Sequence, residues 1–339
     1  MKAPLAYKYG DWEYRLKNRN FEVEWPKEIE LPKSVFKYYA NTDYSIDAII
    51  KQYLFCSHPY HLNDSIDSTN SLWDFNNINK ETFEGFYHQY GLEKAYEVNF
   101  EKEKETGFSA IKQRFYDMIS KNAGIISLTS EPLQTLMWAH YSTERGFMVE
   151  LDWNLIKDNL KRLNPKLNNY AFFPINYVDN LESIDFFGHG FKSTDLPYLY
   201  STAVKRKDWA YEKEWRLISF TLDYGVPNSI LGPFPDIPCL NERKILYPKE
   251  AIKSITLGKQ FFNGTNLEKI IDEETYVLKE KRDLEFLKYL MDNFNDRIFL
   301  CGEYEKDRIF KRSAGKIHFQ IIEKNTFKIM NENEGFYQE

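Results

Sequence analysis

Cysteine is scarce: the 339 residues hold three, Cys56, Cys239 and Cys301. They are widely separated and odd in number, which excludes a disulfide framework and a CxxC zinc knuckle and fits a reducing compartment. No run of about 18 uncharged apolar residues occurs, so no membrane span is expected. The opening MKAPLAYKYGDWEYR has no apolar stretch of signal-peptide length, and a cytoplasmic protein is the expectation. G-x-G-x-x-G, Walker A and G-x-S-x-G patterns are also missing, which argues against Rossmann, P-loop and nucleophile-elbow sites. Basic charge is not in excess. With 45 Lys and Arg against 51 Asp and Glu, the formal charge of −6 gives no general affinity for a nucleic-acid backbone, although a local basic groove is compatible with it.

What is present is aromatic and charged: 24 Tyr, 26 Phe and 7 Trp, with 42% hydrophobic and 28% charged residues, the balance of a globular chain. So many rings serve either as core or as stacking platforms, and composition favours core. Strands and helices do not alternate in a βαβ rhythm. The expected class is α+β, a mixed, mainly antiparallel sheet with flanking helices. Residues 1–34 are expected to be an extension wrapping the body, 35–262 an α+β core, and 263–339 a helix and β-hairpin packed on it.

Within the core, strands are expected at 35–39, 53–57, 124–128, 147–151, 173–178 and 252–257. A helix over 45–52 is expected with Ser45 as N-cap. Residues 78–122 read as helical with Gly107 as an interruption. Thr129-Ser130-Glu131-Pro132 predicts a helix start, after which Leu133, Leu136, Met137, His140 and Tyr141 form one apolar stripe. A Tyr- and Lys-rich helix is expected over 195–209, an amphipathic helix over 280–294, and a hairpin centred near Asn325.

The segment KRKDWAYEKEWRLISF, residues 205–220, carries the chemistry. In extended geometry Glu212, Glu214, Arg216 and Ile218 share one face, and Trp215, Leu217 and Ser219 the other. Three charges on a strand face form either a solvated ion-pair ladder or the wall of a polar cleft, because unpaired buried charge is costly. Two neighbouring carboxylates raise each other's pKa, which suits a general base or an oxocarbenium stabiliser. His140 and Tyr141 fall at the C-terminal end of their helix, where the dipole favours a protonated imidazole; they are either satisfied core residues or part of a site. Asn63, Asp64 and Asp67 are Asx-turn residues or ribose and cation contacts. The pair His58 and His61 supplies too few ligands for a metal centre, and no metal is expected.

Leu54-Phe55 to Asn63-Asp64-x-x-Asp67, Ile126-Ser127-Leu128-Thr129, Met137-Trp138-Ala139-His140-Tyr141 and Gly146-Phe147 together resemble the bacterial family DUF2971. Lys205-x-x-x-Trp209-x-Tyr211-Glu212-x-Glu214-Trp215-Arg216-Leu217 and Ile255-x-Leu257-Gly258 fit the same family over roughly residues 36–260; Ser65 departs from its usual proline. Glu212-x-Glu214, Ser127 to Ser130 and Phe36-Lys37-Tyr38 are also similar to the three strand motifs of ADP-ribosyltransferases. That resemblance implies NAD as co-substrate, Glu214, Glu212, His140 and Tyr141 as catalytic residues, and Lys37, Tyr38, Asn63, Asp64, Ser127, Trp209 and Arg216 as cofactor-binding residues. Glu214 would face the oxocarbenium ion, Glu212 the acceptor, and Tyr141 or Trp209 the nicotinamide. Other readings of the same residues are a nucleotide- or partner-binding module of a defence or toxin–antitoxin locus, and a magnesium nuclease built on Asp64, Asp67 and Glu214.

Overall fold

Segments rich in β-branched and aromatic residues set the frame. In the computed structural model, which describes residues 5–17, 20–89, 100–220, 224, 243–262, 267–272, 274–278, 281–306, 308–323 and 325–338, they assemble one large sheet. Cys239 and residues 90–99 of the expected helical region lie outside the described residues. The sheet has eleven strands, in the order Leu267–Ile270, Thr275–Leu278, Thr326–Gln338, Ile309–Glu323, Ile298–Lys306, Ile252–Leu257, Phe147–Asp152, Ser34–Tyr39, Ala123–Thr129, Glu214–Phe220 and Asn169–Pro174. Ile252–Leu257 and Ile298–Lys306 run parallel, and the other described pairs of this sheet are antiparallel. With helices on both faces, the chain is α+β.

Both faces of the sheet are buried, so its central strands are apolar nearly throughout. Leu217, Ile126, Leu128, Val149 and Leu151 pack with Trp153, Ile156 and Leu160 of the helix Trp153–Leu163 and with Leu287 and Leu290 of the helix Lys281–Phe294. On the opposite face Ile125, Ile218, Ala171 and Phe173 meet Ile111 and Phe115 of Ser109–Ser120 and Leu196 and Leu199 of Asp195–Ala203. Burying each such side chain contributes about 1.5–3 kcal/mol, which is what lets the same strands carry charge at one end.

Several expected boundaries move. Among the described residues of 1–34, Ala6–Tyr9, Trp12–Lys17 and Asn20–Glu24 form a three-stranded antiparallel sheet, with Phe21 stacked on Phe220. Thr42, not Ser45, caps the helix Asp43–Ile50, accepting the Ser45 N–H on its own hydroxyl. The stretch 173–178 is divided between Asn169–Pro174, which pairs with Glu214–Phe220, and Asn176–Val178, which pairs in parallel with Val204–Arg206. The expected 195–209 helix stops at Ala203 and gives way to the strand Val204–Arg206 and the 3₁₀ segment Lys207–Glu212.

The helix expected from Thr129 begins later, at Thr135. Thr129 closes the preceding strand instead, its hydroxyl donating to the Glu212 carbonyl at 2.6 Å. The buried face of Thr135–Ser142 is therefore Met137, Trp138 and Ser142, while Leu136 and His140 are exposed.

The sheet forks where the site lies. Ser34–Tyr39 and Ala123–Thr129 are paired at Phe36 and Thr129 alone, and then diverge. Ser57 enters the gap and exchanges two 2.9 Å backbone hydrogen bonds with Ile125. Between these points the Ser127 carbonyl has no strand partner on that side, and the Lys37 ammonium donates to it at 2.8 Å.

Candidate functional site

At the fork is a cavity of about 200 Å³, walled by Phe36, Lys37, Tyr38, Ser57, Ser127 and Leu128 on the sheet side. The loop after Ser57 contributes His61, Leu62, Asn63 and Asp67, the helix Thr135–Ser142 contributes Met137 and Tyr141, and Lys205, Glu212 and Glu214 complete it. A dry cavity of about 150 Å³ accommodates a benzene-sized ring, so this one admits a single ring or sugar.

Below the cavity is a buried ion cluster. Arg216 is fully buried, with Nη1 and Nη2 forking onto the Asp67 carboxylate at 2.9 and 2.8 Å. Its Nε and Nη2 also grip Glu214 at 2.9 and 3.0 Å, and Nη1 reaches Ser68 Oγ and the Thr202 carbonyl. Lys205, also buried, donates to Glu212 at 2.5 Å and to Glu214 at 3.3 Å, and lies 3.6 Å from Asp67. Three carboxylates thus share two cations, with every charge paired, as burial demands.

The charged face is therefore a cavity floor, not a solvated ladder. Nor is Glu212 part of the strand, which starts at Glu214. Lys213 between them is left-handed (φ 40°), and that turn, not strand alternation, brings the two carboxylates to one ammonium.

Their ionisation diverges: Glu212 shows the expected rise beside a second carboxylate, and Glu214 does not. Burial and the Glu214 charge raise the Glu212 pKa against the opposing pull of Lys205 and Tyr141. Burial pushes Glu214 the same way, but Arg216, Lys205 and the Ser127 hydroxyl outweigh it and bring Glu214 down to about 2. Lys205 is raised: burial works against its charge, and Glu214, Asp67 and Glu212 overcome it. Burial lowers the pKa of Lys37, with the Glu214 charge opposing. Tyr141 donates a short hydrogen bond to Glu212 Oε1 and accepts from Asn63 Nδ2 at 2.8 Å; burial and the Glu212 charge raise its pKa.

Of the residues singled out in the sequence, Lys37, Tyr38, Asn63, Ser127, Tyr141, Glu212 and Glu214 converge on the cavity. Four do not. His140 is exposed, and its Nδ1 pairs with the Tyr211 hydroxyl at 3.0 Å. Asp64 is spent on an Asx turn, accepting from the Ile66 N–H at 3.0 Å. Trp209 is not among the residues that wall the cavity, and the Lys205 ammonium lies 4.7 Å from its ring centroid. The Arg216 donors are all committed to protein acceptors, which makes this residue the structural centre of the floor.

Asp67 and Lys205 are central, although the ADP-ribosyltransferase resemblance assigns a role to neither. Both sit in the motif segments already noted, and an arginine on a buried strand needs a carboxylate partner, a signal that points to Asp67. The three carboxylates of the magnesium reading all accept hydrogen bonds from the protein: Asp64 from the Ile66 N–H, and Asp67 and Glu214 from Arg216.

Comparison with known families reaches the same part of the chain. Residues 137–217 match the DUF2971 family model, described as a protein of unknown function. This segment is similar to DUF2971. Within the DUF2971 segment fall Tyr141, Lys205, Glu212, Glu214 and Arg216, while Lys37, Asp67 and Ser127 approach from outside it. No curated protein and no solved structure matches the chain.

Proposed function

We propose that this chain is an ADP-ribosyltransferase-like enzyme that uses NAD. The supporting observation is the ring-sized cavity at the sheet fork, floored by two carboxylates whose ionisation is driven apart. Two titratable groups pushed in opposite directions are the usual basis for dividing acid–base roles. In this reading the nicotinamide ring enters against Phe36, Leu128, Met137 and Tyr141. The C1′–N bond breaks with its electron pair going to nicotinamide, and a bond from the acceptor nucleophile to C1′ replaces it. Glu214, held ionised, faces the cationic sugar. Glu212, raised towards neutrality, takes the proton that the acceptor releases, and Tyr141 orients it.

The test is nicotinamide release from NAD by the folded chain and its variants. Wild type is expected to release nicotinamide, and Glu212→Gln to lower the rate by about 10²–10⁴-fold with its unfolding curve retained. The Glu214 oxygens are already engaged by Arg216 and Lys205, which favours a second reading, a nucleotide-recognition pocket without turnover. NAD that raises the melting temperature but is never cleaved would establish that reading, and absence of both effects would remove NAD altogether.

A further inference from the structure

The strand Ile309–Glu323 lies outside the DUF2971 segment, yet one of its side chains reaches both ends of a cavity wall. Arg312 Nε donates to Thr135 Oγ1 at 3.2 Å, at the start of the helix Thr135–Ser142. Its Nη1 donates to Glu144 Oε2 at 3.0 Å just beyond the helix end, and Nη2 closes the fork on Oε1. Nη1 also points at Cys301 Sγ, 3.6 Å away on the neighbouring strand. The Arg312 side chain is 6% exposed and that of Glu144 19%, so the pair is largely shielded from solvent.

The helix needs such a tether. Eight residues make barely two turns, too few to be stable alone, and Thr135, Leu136, Ala139 and His140 face solvent. Its exit is strained: Thr143 and Glu144 are both left-handed (φ 52° and 59°) without being glycine. Such residues persist only where their surroundings hold them. The backbone does part of this, through Glu144 N–H to the Trp138 carbonyl at 3.1 Å and Gln260 N–H to the Glu144 carbonyl at 2.8 Å. Arg312 supplies the side-chain part, and the same helix carries Tyr141 to Glu212.

We propose that Arg312 is a positioning residue, which clamps both ends of the helix Thr135–Ser142 and so fixes Tyr141 against Glu212, making the C-terminal hairpin a determinant of the cavity wall. This goes beyond the NAD reading and holds for any ligand. Whatever displaces the hairpin displaces Tyr141.

Hydrogen exchange of the full chain, without ligand, tests it. In Arg312→Gln, amides of residues 135–146 are expected to exchange about tenfold faster or more, with residues 123–129 and 214–220 unchanged. Arg312→Lys keeps one charge but loses the planar fork, so it restores protection at Glu144 and not at Thr135. The effects of Arg312→Gln and Tyr141→Phe on unfolding are expected to be non-additive, as for residues acting through one contact. Should Arg312→Gln not fold, Glu144→Gln removes the other half of the clamp and is read in the same way. Unchanged exchange over 135–146 in a folded variant, or strictly additive effects with Tyr141→Phe, would overturn the proposal while leaving the NAD reading untouched.

Discussion

Arg216 and Asp67, 149 residues apart in sequence, meet through two parallel hydrogen bonds of 2.9 and 2.8 Å in the interior of the protein. This pair ties the loop after Ser57 to the strand Glu214–Phe220, and so joins one side of the cavity to its floor.

Breaking the pair from one side removes one of the two carboxylates that hold the buried guanidinium and leaves it on Glu214. Asp67→Asn is expected to cost about 3–5 kcal/mol, read from urea unfolding. Adding Arg216→Met to Asp67→Asn is expected to destabilise further, since the buried Glu214 then keeps Lys205 as its counter-charge and loses the guanidinium. A double variant as stable as Asp67→Asn would contradict this account.

Glu214 and Glu212 predict acid dependences of opposite sign. Glu214 has a folded pKa of about 2 against 4.5, so its contribution is complete above about 4.5 and is lost as pH falls towards 2. Glu212 is shifted upward, so its contribution is present below the unfolded value and lost as pH rises through the folded one. Unfolding free energy measured against pH should have a shallower slope between about pH 4.5 and 2 in Glu214→Gln than in wild type. In Glu212→Gln the slope should steepen in the favourable direction above pH 4.5, because the opposing group is gone.

His58 supplies a separate acid limb. It is buried, its Nδ1 accepts the Tyr60 N–H at 3.2 Å, and burial lowers its pKa from 6.5 to about 3. The unfolded chain binds this proton first, so stability present above pH 6.5 is lost as pH falls towards 3. His58→Asn keeps an acceptor for Tyr60 and cannot titrate. Its stability should be flatter than wild type between those values, and an unchanged slope would assign the limb to other groups.

Gly146 is required for close approach. A Cβ there would lie 1.8 Å from the Tyr39 carbonyl oxygen and 3.0 Å from Ala40 Cα, both backbone. Gly146→Ala is expected to cost about 3 kcal/mol or more by overpacking. A Cβ added at Gly85, inside the helix Lys80–Gln89, would meet nothing within 4 Å, and Gly85→Ala should stabilise by about 0.5–1 kcal/mol. Thermal unfolding of the two variants should move in opposite directions.

Local pattern was sufficient for the elements that are buried along their whole length. Ala123–Thr129, Phe147–Asp152 and Ile252–Leu257 stand close to where their apolar runs place them, as does the amphipathic helix Lys281–Phe294. It failed where side chains compete for backbone groups. Thr129 looks like a helix cap but closes a strand by bonding the Glu212 carbonyl, which delays the helix to Thr135 and rotates its buried face. Strand alternation placed Glu212 beside Glu214 for the wrong reason, because a left-handed Lys213 was not visible in the residue type.

The sequence alone determined the class of fold, the core strands and the segments that carry polar groups. Hydrophobic periodicity and the cost of burying charge are local, residue-by-residue constraints. Tertiary structure decided which groups meet: Asp67 with Arg216, Lys205 between Glu212 and Glu214, Lys37 on the carbonyl left open at the fork, and Arg312 on the helix that carries Tyr141. Those contacts depend on register and on loops far apart in the chain. The same dependence governs ionisation: Glu212 and Glu214 are chemically identical, and their pKa values part because of which cations lie nearest each.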